Sequence, residues 1–197
     1  LFLADPMGAS IFALDTADRK SQPGKSMDIK GANQQIAAKL GTAADQILIN
    51  DVAVNPVSHR VYFSVTRGRG ADAAPVLLRT DGKGGIEEVA LDKIPHSRAE
   101  LPTAPAADQK DRSGASRRME AITDIAFVDG KVFVAGLSNE EFASTLRAVP
   151  YPFTPAAAGK GTSVEIFHGA HGRFETNAPV RTFVAYNIAN KPHLLAA

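Results

Sequence analysis

The stretch Ile49-Asn50-Asp51-Val52-Ala53-Val54 decides how this chain is read, because it returns as Ile122-Thr123-Asp124-Ile125-Ala126-Phe127. A second apolar run follows each copy: Arg60-Val61-Tyr62-Phe63-Ser64-Val65 after the first, Lys131-Val132-Phe133-Val134-Ala135-Gly136 after the second. The connections differ, Asn55-Pro56-Val57-Ser58-His59 in one and the tighter Asp129-Gly130 in the other. Asp-Gly between apolar runs predicts a hairpin, since both central residues of a type I′ turn need positive φ. Each copy therefore opens a β-hairpin.

Working outward, further strands complete each unit. Pro75-Val76-Leu77-Leu78-Arg79-Thr80 and Ile86-Glu87-Glu88-Val89-Ala90-Leu91 flank the turn Asp81-Gly82-Lys83-Gly84-Gly85. In the second unit, Ser163-Val164-Glu165-Ile166-Phe167 and Val180-Arg181-Thr182-Phe183-Val184 flank a longer loop. The opening residues fit the same frame, with Leu1–Ala4 as a second strand, Ser10–Asp15 as a third and Lys25-Ser26-Met27-Asp28-Ile29 as a fourth. Leu194–Ala197 would start another unit. The segmentation is a blade part over 1–32, a blade over 45–94 and a blade over 119–190, with flexible insertions at 95–118 and 138–161. Helical spacing of Ile36, Ala37 and Leu40 predicts a helix within 33–44, and Asn139 caps a short helix over Glu140–Leu146. The segment 95–118, rich in Pro, Ala, Ser and charge, reads as loop.

Composition bounds the chemistry. The chain has 197 residues, with 22 Lys+Arg against 21 Asp+Glu for a net charge of +1. That balance argues against a nucleic-acid binder driven by bulk charge. With no cysteine there is no disulfide frame, thiolate nucleophile or zinc ribbon. No run approaches the ~18 apolar residues of a membrane span. Both ends are apolar and strand-like, as expected of a piece of a longer chain.

The pattern I-x-D-[VI]-A-[VF], a turn, then [RK]-V-[YF]-[FV] resembles the strand pair of YVTN, NHL and SMP-30-type propellers. The resemblance covers most of the chain outside the insertions. It implies an all-β fold of about three four-stranded blades of an incomplete β-propeller, whose complete members have about 4–8 blades. It also implies an extracytoplasmic location, periplasmic or secreted. Apolar alternation with Asp-Gly turns occurs in β-sandwiches as well.

Asp51 and Asp124 occupy equivalent places in the two units, and equivalent polar residues on innermost strands would converge on a propeller axis. Calcium takes about 6–8 hard oxygen ligands, so Asn50, Asp51, Thr123 and Asp124 are candidates for part of a set. SMP-30-like lactonases hold a divalent cation with channel Asn, Asp and Glu residues, and the resemblance implies calcium at Asn50, Asp51 and Asp124. The remaining ligands and a general base have no counterpart in this sequence. The competing role for each aspartate is structural, accepting backbone N–H bonds at a blade junction.

His168-Gly169-Ala170-His171-Gly172 is a second candidate, because imidazole pairs bind transition metals. Its two glycines place it in a loop, without an HExxH helix, and a solvated hairpin loop is the expected reading. His59, His96 and His193 are solitary. Arg67-Gly68-Arg69-Gly70 reads as a loop, Gly82-Lys83-Gly84-Gly85 lacks the P-loop spacing, and no GxSxG elbow exposes a serine. The expectation is a scaffold binding a small molecule or protein through its loops, with calcium-dependent lactone hydrolysis as the rival. The absence of tryptophan argues against quinoprotein-like dehydrogenases.

Overall fold

The computed structural model describes residues 1–21, 29–154, 158–159 and 161–197. The strand expected at 25–29 lies, apart from Ile29, outside the described residues. Strands dominate, in antiparallel sheets of two to four strands, none of them closed. The chain divides into two compact units: Asp15–Pro95 with Leu1, and Phe2–Leu14 with His96–Ala197. Among the described residues no helix is long and apolar enough to cross a membrane.

Two strands of the second unit come first in the chain, β1 (Phe2–Asp5) and β2 (Ser10–Leu14). Among the described residues, the first regular element of the first unit is helix α1 (Ala32–Lys39), which starts one residue before the span 33–44 where apolar spacing predicts it. Its end is set by Gly41 at φ 64. That left-handed residue lets the Thr42 N–H reach Ala37 O at 2.9 Å and the Gly41 N–H reach Ala38 O at 3.4 Å, the paired bonds of a Schellman stop. The helix buries Ile36 and Ala37 with Ile47, Phe63, Val65 and Leu78. Each fully buried aliphatic side chain contributes on the order of 2 kcal/mol.

Behind that helix lies a meander of β3 (Ile47–Val54), β4 (Val61–Arg67), β5 (Ala74–Thr80) and β6 (Ile86–Glu88) in that order. The loop between β5 and β6 is tied by Asp81, whose Oδ1 accepts the N–H groups of Lys83 at 2.7 Å and Gly85 at 2.9 Å. The chain leading into α1 is anchored by Asp18, whose side chain is 6% exposed. Its Oδ2 accepts from Ser58 Oγ at 2.6 Å, Tyr62 OH at 2.9 Å and Asn55 Nδ2 at 3.1 Å.

In the second unit β7 (His96–Glu100) adds to β2, giving the order β1-β2-β7. A second sheet comprises β8 (Asp124–Val128), β9 (Lys131–Leu137), β10 (Ser144–Pro150) and β11 (Thr162–Ser163). The two sheets share one core, with Ile11 and Ala99 from the first, and Leu101 just after β7, against Val132, Val134 and Val149 of the second. Two hairpins follow: β12 (Phe167–His168) with β13 (Arg173–Phe174), and β14 (Phe183–Ile188) with β15 (Lys191–Ala196).

Several expectations about single elements are corrected. The helix over Glu140–Leu146 does not form, because Ser144–Pro150 pairs along its whole length with β9 and from Thr145 onward alternates buried Thr145, Arg147 and Val149 with the more exposed Leu146, Ala148 and Pro150. Strand pairing overrides local helix preference there. The segment 95–118 contains β7, and Arg118 pins its far end by donating to Met7 O at 2.9 Å and Pro105 O at 2.7 Å. Residues 180–184 do not return to the second sheet as its last strand. That place is taken by the short β11, and Phe183 opens a hairpin of its own. The type I′ geometry expected at Asp129-Gly130 is present, with φ of 47° and 75°.

Candidate functional site

Asn50 and Asp51 sit at an irregularity of β3. Ile49 pairs with Val65 and Asp51 with Ser64, so Asn50 is the extra residue of a β-bulge. Without the bulge, alternation would carry Asp51 to the face of Ile47 and Ile49; the inserted residue instead sets Val52 opposite buried Phe63 and turns Asp51 outward. Asn50 Nδ2 donates to Thr66 Oγ1 at 2.9 Å. Asp51 Oδ1 accepts the Val52 N–H at 2.7 Å. Both side chains are exposed.

Asp124 makes the same local bond, its Oδ1 accepting the Ile125 N–H at 2.8 Å. Its second oxygen accepts both the Thr182 hydroxyl and the Phe183 N–H at 2.8 Å. Thr123 is also engaged, donating its hydroxyl to Val180 O at 2.5 Å. The carboxylate thus ties the first strand of one sheet to the first strand of the following hairpin. Asn50 and Asp51 belong to the first compact unit and Asp124 to the second. Asp124→Ala is expected to cost about 1–2 kcal/mol, the worth of two hydrogen bonds to a charged acceptor less compensation by water. Hydrogen exchange at the Phe183 amide should accelerate while the β9–β10 amides stay protected; unchanged protection at Phe183 would refute the strap.

A different cluster forms on the β12–β13 hairpin. The chain reverses at His168–Gly172, where the His171 and Gly172 N–H groups donate to His168 O at 3.3 and 2.9 Å and Gly172 has φ 66. The ladder extends one step past the strands, with the Glu175 N–H on Ile166 O at 3.0 Å. Strand alternation then sets Phe167 and Phe174 on one face and His168, Arg173 and Glu175 on the other. The His168 and His171 rings stack with centroids 5.3 Å apart and planes at 10°. His171 Nε2 lies 3.3 Å from Glu175 Oε1, and Arg173 holds the other carboxylate oxygen at 3.1 Å. The donor atoms of His168, His171 and Glu175 all fall within 4.8 Å of one another. The sequence singles out the two histidines, while Glu175, like Glu165, lies outside an HExxH pattern and is set aside on that ground. The usable signal is cross-strand: closing the hairpin at Gly172 brings residue 175 back opposite 166.

The second unit also carries four aromatic rings in mutual contact. Phe2 stacks on Phe127 with centroids 5.0 Å apart, and Tyr151 meets Phe2 and Phe153 edge-on at 5.2 and 5.4 Å. The rings come from β1, β8 and the chain just after β10, so three separate segments hold them. Phe127 and Tyr151 remain about half exposed, at 51% and 43%.

The solitary histidines have local roles: His59 occupies the β3–β4 turn at φ 59, and His193 Nδ1 lies 2.9 Å from Lys191 O. Arg69 is folded back onto Asp45 O, with its terminal nitrogen at 2.8 Å. Compared with protein-family models, curated proteins and solved structures, the chain finds no match in any of the three.

Proposed function

We propose that this chain is part of a β-propeller of the loose YVTN/NHL/SMP-30-like kind, acting outside the cytoplasm as a scaffold that binds a ligand or a protein partner. The four-stranded meanders β3–β6 and β8–β11 support the blade reading. So does Asp124, which straps one opening strand to the next as neighbouring blades require. The observation that carries binding is the ring cluster of Phe2, Phe127, Tyr151 and Phe153. Aromatic side chains offer large contact area at small entropic cost, and rings held by sheet strands are pre-ordered for a partner.

The test uses a photoreactive phenylalanine analogue at position 127 in cells producing the protein, together with native mass spectrometry of the purified chain. One defined adduct, or one retained small molecule, lost in Tyr151→Ala supports the scaffold. Adducts and retained species indifferent to Tyr151→Ala, or none at all, would refute it. Calcium-dependent lactone hydrolysis abolished by Asp51→Ala would establish the rival enzyme instead.

A further inference from the structure

We propose that His168, His171 and Glu175 form a binding site for one borderline divalent transition-metal ion of the Zn²⁺ class. Two imidazoles and a carboxylate are a donor set that such ions favour, whereas calcium and magnesium select all-oxygen shells. Zinc bonds of about 2.0–2.1 Å at tetrahedral angles place neighbouring donors about 3.3 Å apart. The pair His171 Nε2 and Glu175 Oε1 already stands at 3.3 Å. The third donor, on His168, lies within 4.8 Å of both; its ring is stacked parallel to that of His171, so the two imidazoles must turn toward a common point for the triad to close on an ion.

The backbone supports this arrangement independently of the side chains. The turn bonds to His168 O fix the separation of the two histidines, and the Glu175–Ile166 bond fixes the register that returns the carboxylate to them. Arg173 engages the far oxygen of Glu175, which orients the near one toward the imidazoles, as outer-shell partners of metal ligands do. The two strands are only two residues each, and a hairpin of that size is marginal alone. A metal joining the turn to the returning strand would clip it closed. Three protein donors leave a coordination position for water or for a group from a bound molecule.

Calorimetric titration of the whole 197-residue chain with ZnCl₂ tests the site. The expected result is one ion per chain, with His168→Ala and His171→Ala each weakening affinity by more than tenfold and Glu175→Gln by about tenfold, taking outer-shell losses as the lower bound. A tenfold excess of CaCl₂ should not compete. Imidazole nitrogen NMR should show zinc-dependent shifts for His168 and His171, with His59, His96 and His193 unmoved. His168 and His171 are exposed, and Glu175→Gln keeps the shape of a half-buried side chain, so circular dichroism should stay that of the parent. The proposal is overturned if zinc affinity survives both histidine variants, if the shifts fall on other histidines, if calcium displaces zinc, or if no zinc binds.

Discussion

Gly136→Val is expected to leave the second unit unfolded. Gly136 lies on β9, the strand between β8 and β10, and a Cβ there would stand 2.1 Å from Ala121 O and 2.5 Å from the Ala121 carbonyl carbon. Both are backbone atoms, and the Thr123 N–H bound to Ala135 O at 2.8 Å fixes that backbone against the strand. No rotamer change relieves such a clash, so β9 or the Ala121–Thr123 segment must move. Overpacking of this kind costs about 1–3 kcal/mol when side chains can yield and more when they cannot. A loss of 3 kcal/mol or more is a large part of the roughly 5–15 kcal/mol that keeps a domain folded. Urea unfolding followed by circular dichroism should show a collapsed midpoint or insoluble protein. Gly159→Ala, where a Cβ meets open space, should stay within about 0.5 kcal/mol of the parent. Equal midpoints for Gly136→Val and the parent would show that the approach to Ala121 is not as tight as described.

Asp18→Ala should be nearly as damaging to the first unit. Removing the carboxylate leaves the Ser58 and Tyr62 hydroxyls without their shared acceptor and takes one of two acceptors from the Asn55 amide, which keeps the Asp18 carbonyl at 2.8 Å; it also leaves Arg60 without a negative charge 3.9 Å from its Nε. A loss of about 2–3 kcal/mol follows from two stranded hydroxyls in a buried setting. The same network has a pH signature. Burial pushes the Asp18 carboxyl up, but the hydrogen bonds from Ser58, Tyr62 and Asn55, with Arg60 nearby, outweigh it and hold the group below its ordinary value of 3.8. A carboxyl that titrates lower in the folded chain stabilises fully above its unfolded value. That contribution fades as pH falls through 3.8 toward the folded value. The gap between the unfolding midpoints of Asp18→Ala and the parent, measured from pH 6 to 3, should therefore narrow toward the acid end. A constant gap across that range would deny the network its electrostatic part.

What could be read from residues alone follows a physical boundary. The β3–β4 and β8–β9 hairpins were legible because their apolar alternation is local, and in β8–β9 because Asp129-Gly130 announces its own positive φ. Helix α1 was legible from Ile36, Ala37 and Leu40. The β14–β15 hairpin was not, because its turn uses Ala189 and Asn190 at φ 49 and 60, and alanine carries no turn signal. Strand β7 hid in a segment rich in Pro and charge because its partner β2 is more than eighty positions away. Distance in sequence also explains the sites. Asn50, Asp51 and Asp124 drew notice by their spacing, yet the bulge at Asn50 and the Thr182–Phe183 strap depend on pairings that no local pattern encodes. Glu175 joins His168 and His171 only once the hairpin register is set, and Asp18 looks like any loop aspartate until Asn55, Ser58 and Tyr62 surround it.

The pairing of β2 with β7 has a consequence for how the chain folds. Leu14 faces His96 in that ladder, and the Asp15 N–H donates to Pro95 O at 2.8 Å, so everything from Asp15 to Pro95 is one excursion whose ends meet. Joining two strands across so long a connection carries a loop-closure entropy that grows with its length, and it slows any route that begins there. Once the excursion has condensed around its own helix and meander, its two ends are already side by side. The closure entropy is then met by contacts inside the excursion, and β7 reaches β2 as a short-range event. Loop-closure entropy therefore favours a route in which the inserted segment condenses first and the strands that bracket it pair afterwards.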